Sequence, residues 1–248
     1  MKRIVSLSII MFLSMTLARA QKTNSNQTNT TQKPVETEVK KEQPAGNPLG
    51  DHFASKYAIA ARWNDFDVAK DAMYDLIVEY PGSDSLIFAL SYFYYENQKY
   101  PSSVLVCQDL LARNPKNVQA LELAGMDYES LNIYDRALQS YESLFLLTNN
   151  NLTLYKMSFL QYELKRYTEC LTNVDILLAN PDADIIKVGF NDTNKKPKEY
   201  AMRVALLNLK GMVYKAKTDN VNARKYFQEA LAIAPDFLFA RQNLDGLK

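Results

Sequence analysis

Residues 118–151 read VQALELAGMDYESLNIYDRALQSYESLFLLTNNN, and the second half of that stretch decides the fold. In YDRALQSYESLFLL, Tyr134, Leu138, Tyr141 and Phe145 recur at helical spacing on one side. Ala137 is small enough for a second helix to approach closely. The run ends in Asn149-Asn150-Asn151, a residue type that tolerates the left-handed conformation of a helix end. The first half, with Leu121, Ala124, Gly125 and Tyr128, supplies the partner helix.

Outward from this stretch the same unit returns. Tyr94, Tyr128 and Tyr162 stand 34 residues apart, as do Ala69, Ser103 and Ala137, and Met73, Cys107 and Tyr141. Pro81 and Pro115 keep the step. Several positional series sharing one period of 34 point to a helix–turn–helix repeat, in which no single pair buries enough apolar surface to stand alone. Pro101 fits the first turn of its helix, where a missing N–H costs nothing.

These residues resemble the tetratricopeptide-repeat (TPR) family, whose pattern is a large residue, a small pair and a Tyr on the first helix, then Ala, an aromatic and Pro on the second. The third repeat gives Leu121, Ala124, Gly125, Tyr128, Tyr134, Ala137 and Tyr141. The second gives Ile87, Leu90, Ser91, Tyr94, Tyr100, Cys107 and Pro115. The last gives Leu207, Gly211, Tyr214, Ala223, Phe227, Ala230 and Pro235; the first gives Phe53, Tyr57, Phe66, Ala69, Met73 and Pro81. The fourth, with Tyr155, Tyr162, Tyr167, Cys170 and Pro181, reads as having an inter-helix turn one residue shorter. Lys56 and Lys210 depart from the pattern, where the family prefers an apolar residue; a lysine stem can pack while its ammonium reaches water. The resemblance implies an all-α, right-handed superhelical solenoid of about five repeats with a C-terminal capping helix. The repeats fall at about 50–83, 84–117, 118–151, 152–181 and 204–237, with an insertion at 182–198 and a cap at 236–248. The insertion is expected to be a surface feature; Ile185, Ile186, Val188 and Phe190 suggest a short extended or docked stretch, followed by a basic tip with Lys195, Lys196 and Lys198.

Ahead of the repeats, Lys2 and Arg3 precede an apolar run, Ile4–Leu17, and Ala18-Arg19-Ala20 offers a small-x-small cleavage pattern. The run is short for a membrane span, which needs roughly 20 apolar residues. The expectation is a signal peptide over 1–20, cleaved after Ala20, and an exported protein, periplasmic or secreted, with no integral membrane span left. Residues 21–49 are Asn, Thr, Gln, Lys, Glu and Pro with almost nothing apolar, a tether that cannot offset its ordering entropy.

Chemistry is scarce. The formal net charge is +1, and losing Lys2, Arg3 and Arg19 makes it +1 − 3 = −2, so nothing draws the whole chain to nucleic acid. His52 is the only histidine; no His–Cys, His–His or Ser–His constellation is read around it, so neither a catalytic triad nor a histidine-rich metal site is expected. No glycine-rich phosphate loop occurs. No catalytic residue, cofactor or metal is expected, and the chain does not read as an enzyme. Asp65/Asp67, Asp84 and Asp182/Asp184 read as helix caps. Cys107 and Cys170 lie two repeats apart, too far for a disulfide, and read as buried free thiols.

In TPR superhelices the first helix of each pair lines the concave face. The resemblance places Ala54, Ala58 and Ala61 there, then Phe88, Tyr92 and Tyr95, then Glu122, Met126 and Glu129, then Lys156, Leu160 and Glu163, and last Asn208, Met212 and Lys215. Lys156 is followed one turn on by Leu160 rather than Asn, so the clamp that grips chaperone C-termini is absent. The expected role is an interaction scaffold that holds a protein or peptide segment in this groove during assembly of a cell-envelope complex. A glycan-binding module using Phe88, Tyr92 and Tyr95 as stacking platforms is the second reading.

Overall fold

The computed structural model describes residues 47–191 and 197–247. The signal-like segment 1–20 and the tether up to residue 46 lie outside the described residues. Those described form twelve helices and one hairpin: α1 Pro48–Arg62, α2 Phe66–Glu79, α3 Asp84–Glu96, α4 Tyr100–Arg113, α5 Val118–Ser130, α6 Tyr134–Thr148, α7 Asn151–Glu163, α8 Tyr167–Ala179, α9 Asp182–Ile185, β1 Lys187–Asn191, β2 Pro197–Ala201, α10 Met202–Ala216, α11 Asn220–Ile233 and α12 Leu238–Asp245. Helices pack in consecutive pairs, α1/α2, α3/α4, α5/α6, α7/α8 and α10/α11, and each pair leans on the next.

Inside every pair the chain reverses through one left-handed residue: Asn64, Gln98, Asn132, Lys165 and Thr218. None is glycine: Asn64 and Asn132 are of a type that tolerates this conformation, whereas at Gln98, Lys165 and Thr218 the packing of the two helices imposes it. Starts are capped by side chains: Asn47, Asp65, Ser83, Asn117, Asn150 and Asp219 each accept from a backbone N–H of the first turn. Asp84 is therefore not the cap expected of it. Ser83 caps α3, and Asp84 accepts from Arg113 and Asn114 at the end of α4, tying two neighbouring pairs together. Asp182 and Asp184 also do other work, accepting from Asn151 and Arg203. Asn149 ends α6 in the left-handed conformation its residue type allows.

Within a pair, bulk on one helix is met by space on the other. A Cβ on Gly125 would lie 2.7 Å from the Tyr141 ring, and one on Gly211 would lie 2.5 Å from Phe227. Both rings are fully buried and have nowhere to go. Gly211→Ala is expected to destabilise the protein by about 2 kcal/mol, because overpacking outweighs the ~1 kcal/mol that alanine gains over glycine in a helix. Equilibrium chemical denaturation checks this; an unchanged midpoint would show that Phe227 yields.

The apolar core is continuous from Leu121 to Ala240. Toward the N-terminus it breaks into three smaller clusters. Ser91, Ser103 and Asp127 are buried where the second and third pairs meet, and this polar group interrupts the core. Cys107 and Cys170 are both buried and unpaired. Burial pushes the two thiols up, to about 11 and about 12, so neither forms a thiolate at neutral pH.

The insertion differs from its expected surface role. After α9, β1 and β2 pair antiparallel with Lys187 opposite Ala201 and Asn191 opposite Pro197. The pleat sends Val188 and Phe190 inward, where both are buried in the main core, while Ile185 stays exposed. Phe190 lies edge-on to Phe237 at 5.1 Å and tilted against Phe239 at 5.3 Å; Tyr200 meets Phe237 at 4.8 Å. Lys198 pairs with Asp236 and sits over the Tyr200 ring. The hairpin thus clasps the turn between α11 and α12. Lys195 and Lys196 of the basic tip lie outside the described residues.

Candidate functional site

The turn geometry fixes which residues of successive first helices are equivalent. The backbone N–H at the start of each second helix donates to one carbonyl near the end of the first. The acceptors are Ala60, Tyr94, Tyr128, Gln161 and Tyr214. In the fourth pair the acceptor is Gln161, not Tyr162, which corrects the register read from the sequence. The turn inside the pair is not shortened. The missing residue lies in the α6–α7 connection, where only Asn149 and Asn150 separate the helices.

This shift rewrites the fourth row of the candidate face. Leu160 takes the buried place that Asp127 and Val213 occupy in their own helices, and Glu163 aligns with Glu96. Lys156 turns toward the preceding pair, where its Nζ donates to Tyr141 Oη at 3.2 Å and lies 4.9 Å from the ring centroid. The residues that stand in line with Phe88, Tyr92 and Tyr95 are Tyr155, Phe159 and Tyr162. Ring geometry agrees: Tyr162 meets Tyr167 at 5.9 Å as Tyr95 meets Tyr100 at 5.8 Å. Tyr155 meets Phe159 edge-on at 4.9 Å, and Tyr155 itself is buried. The spacing of Tyr100, Tyr134 and Tyr167, 34 and then 33, carried this signal in the sequence.

The other rows keep the helix alignment read from the sequence. On α3, Phe88, Tyr92 and Tyr95 form a ladder with centroids 6.3 and 6.2 Å apart and ring planes 29° and 28° from parallel. Tyr92 is 48% exposed, and the rings on either side are half-buried. On α5, Glu122, Met126 and Glu129 are half-buried between the two aromatic rows. The last row is largely closed: Asn208 is buried and accepts from Asn243 Nδ2 at 3.1 Å, and Lys215 donates to the Asn243 carbonyl at 3.4 Å. Helix α12 thus engages Asn208 and Lys215, and Met212, half-buried, receives the Asn208 amide at 3.4 Å.

The electrostatics of this face are acidic at its middle. Burial raises Glu129, and Lys156 and the Tyr141 hydroxyl partly offset the effect. Burial also raises Glu163. Tyr92 is raised by burial and by its hydrogen bond to Glu96, and Tyr95 is pushed up to about 12 by burial first, then by Tyr100, Asp127 and Glu96. Glu96 thus acts on the α3 ladder directly, whereas Glu129 and Glu122 act on Tyr141, with Lys156 beside them. Among the described residues no cluster of three His, Cys, Asp or Glu side chains could hold a metal ion, and no helix is long and apolar enough to cross a membrane.

No family model matches the sequence, and no curated protein matches it either. Solved structures do match in shape. MamA superposes with a TM-score of 0.59 at 12% identity, covering 77% of this chain and 94% of that one. YrrB, described as a TPR protein with an unusual peptide-binding site, gives 0.60 at 12% identity over 77% of this chain and 89% of its own. MamA from Desulfovibrio magneticus RS-1, from its residue 41 onward, gives 0.58 at 11% identity over 77% and 98%. The period, the paired helices and these superpositions together make the chain a tetratricopeptide-repeat solenoid in fold.

Proposed function

We propose that the chain is an exported interaction adaptor that holds an extended, basic segment of another protein across the α3–α5–α7 face during assembly of a cell-envelope complex. The observation that carries the reading is the placement of Glu122 and Glu129 between two aromatic rows. Tyr92 and Tyr95 stand on one side, and Phe159 and Tyr162 on the other. Aromatic and Met side chains supply contact area at low entropic cost, and the carboxylates select Lys or Arg. The likeness to YrrB, whose description names a peptide-binding site, supports a peptide-type ligand. The glycan reading, with Phe88, Tyr92 and Tyr95 as stacking platforms, is the second reading, and it would be favoured by binding of soluble oligosaccharides that the Tyr92→Ala/Tyr95→Ala variant loses.

Fluorescence polarisation with labelled extended peptides tests the reading, comparing sequences that place Lys or Arg between apolar residues with the same sequences bearing Glu. Basic peptides are expected to bind, with affinity falling as salt rises. Tyr92→Ala with Tyr95→Ala is expected to weaken binding tenfold or more, about 1.4 kcal/mol, with little change in melting temperature. Equal binding of acidic and basic peptides, or undiminished binding by the double variant, would count against it.

A further inference from the structure

One position of the repeat carries a carboxylate where the other four carry a hydrocarbon. The residue just before the turn acceptor of each first helix is, in order, Ile59, Phe93, Asp127, Leu160 and Val213. Leu160 and Val213 are buried there, and Asp127 is buried as deeply. Its surroundings do not receive a charge. Ser91 Oγ donates to the Phe88 carbonyl at 2.7 Å and Ser103 Oγ to the Ser91 carbonyl at 2.8 Å, so both buried hydroxyl protons of this junction are committed to backbone. Neither carboxylate oxygen has a hydrogen-bond partner among the described residues. The titratable groups that face it are Tyr95 from α3 and Cys107 from α4, and it makes each of them harder to ionise. On α6, Tyr141 answers to Glu129, Glu122 and Tyr95 instead. Among the described residues no lysine or arginine acts on Asp127. The apolar packing is divided at the same place: Cys107, Leu123 and Ala124 form a cluster of their own, separate from the continuous core.

We propose that the junction between the second and third pairs is a pH-set joint, closed while Asp127 is protonated and parting locally when Asp127 ionises, so that water reaches Asp127 and Cys107. An ionised carboxylate shut in with neutral groups and no donor is stabilised only by water. A solenoid can supply that water at one place, because each pair contacts only its neighbours and a single interface opens while the rest stays folded. Burial holds the carboxyl of the closed joint up at about 7, against its ordinary 3.8. The closed joint is therefore favoured fully below about pH 4, and opening gains about tenfold per pH unit until about pH 7, where the closed form ionises as well. The consequence reaches the α3–α5–α7 face. Closed, the joint seats Tyr95 against the cluster of Cys107, Leu123 and Ala124. Opened, it frees that ring and changes the spacing between the α3 and α5 rows. The joint itself does not depend on what the face binds.

Thiol accessibility tests the joint, because one cysteine lies beside Asp127 and the other, Cys170, lies in the continuous core. The full chain is treated with a pyridyl disulfide reagent between pH 5 and pH 8, and modification of each cysteine is followed by peptide mass spectrometry. Taking the ratio of the Cys107 rate to the Cys170 rate cancels the pH dependence of thiol chemistry itself. That ratio is expected to rise at least tenfold from pH 5 to pH 7 and to level off above, with helical circular dichroism unchanged. Asp127→Asn is expected to keep the ratio flat. Three results overturn the proposal: a ratio that is flat in the parent, both thiols becoming reactive together as the whole stack unfolds, or a rise that persists in folded Asp127→Asn and so belongs to another group. Should that variant fail to fold, the parent's ratio decides.

Discussion

Asp127→Asn is expected to stabilise the protein above pH 7 and to leave its stability unchanged near pH 4. Asp127 sits on α5 where the second and third pairs meet, with no exposed surface, and neither carboxylate oxygen has a hydrogen-bond partner. Ser103 eases the charged form slightly, but its hydroxyl proton goes to the Ser91 carbonyl at 2.8 Å. Burial dominates and raises the carboxyl from 3.8 to about 7. Tyr95 of α3 and Cys107 of α4, whose ionisation Asp127 opposes, are both neutral at that pH, so no cation compensates. Between about pH 4 and about pH 7 the unfolded chain has lost a proton that the folded chain keeps, so raising the pH favours unfolding. The loss begins at the unfolded value and is complete once the folded carboxyl has ionised too. At ~1.4 kcal/mol per unit its ceiling is about 4 kcal/mol. Asparagine removes the titration, so its unfolding free energy is expected to stay flat where the parent's falls. Denaturation series at pH 4, 6 and 8 check this, and a parent whose stability rises over that range would contradict it.

Phe190→Ala is expected to cost about 3 kcal/mol, the lower end of buried phenylalanine truncations. Its ring joins the hairpin to Phe237 and Phe239, and through them to the last turn of the stack. The melting transition is expected to split, with α11 and α12 loosening before the rest, since nearest-neighbour contacts carry a solenoid's stability. Hydrogen exchange read by peptide would show protection lost first over 220–245. Unchanged protection there would mean the hairpin only decorates the stack.

The period was legible because each series rests on a single steric demand. Small residues at Ala69, Ser103, Ala137 and Ala223 permit close helix approach, and Gly125 and Gly211 make room for Tyr141 and Phe227. The register of the fourth pair was misread because tyrosine occurs at two adjacent positions of the repeat. Tyr162 keeps the 34-residue step by type, yet it sits in line with Tyr95, while Gln161 accepts the turn hydrogen bond that Tyr94 and Tyr128 accept in theirs. The deleted residue falls at a junction where Asn149 and Asn150 replace the proline-bearing links, so no punctuation marked it. Helix α12 engages Asn208 and Lys215 through one residue, Asn243, 35 and 28 positions away, a contact that no local pattern announces. The hairpin was underread for a similar reason. Val188 and Phe190 alternate as a half-buried strand should, but what they bury against lies beyond α11.

The central claim, that a partner's segment lies across the α3–α5–α7 face, is tested most directly by site-specific photocrosslinking in the native cell. A photoreactive side chain would replace Met126, at the middle of the face, or Leu105, on the exposed side of α4. The account predicts a discrete adduct from position 126, none from 105, and an attachment point in the captured protein flanked by Lys or Arg. Adducts from position 105 with none from 126 would place the partner on the other side of the solenoid and contradict it.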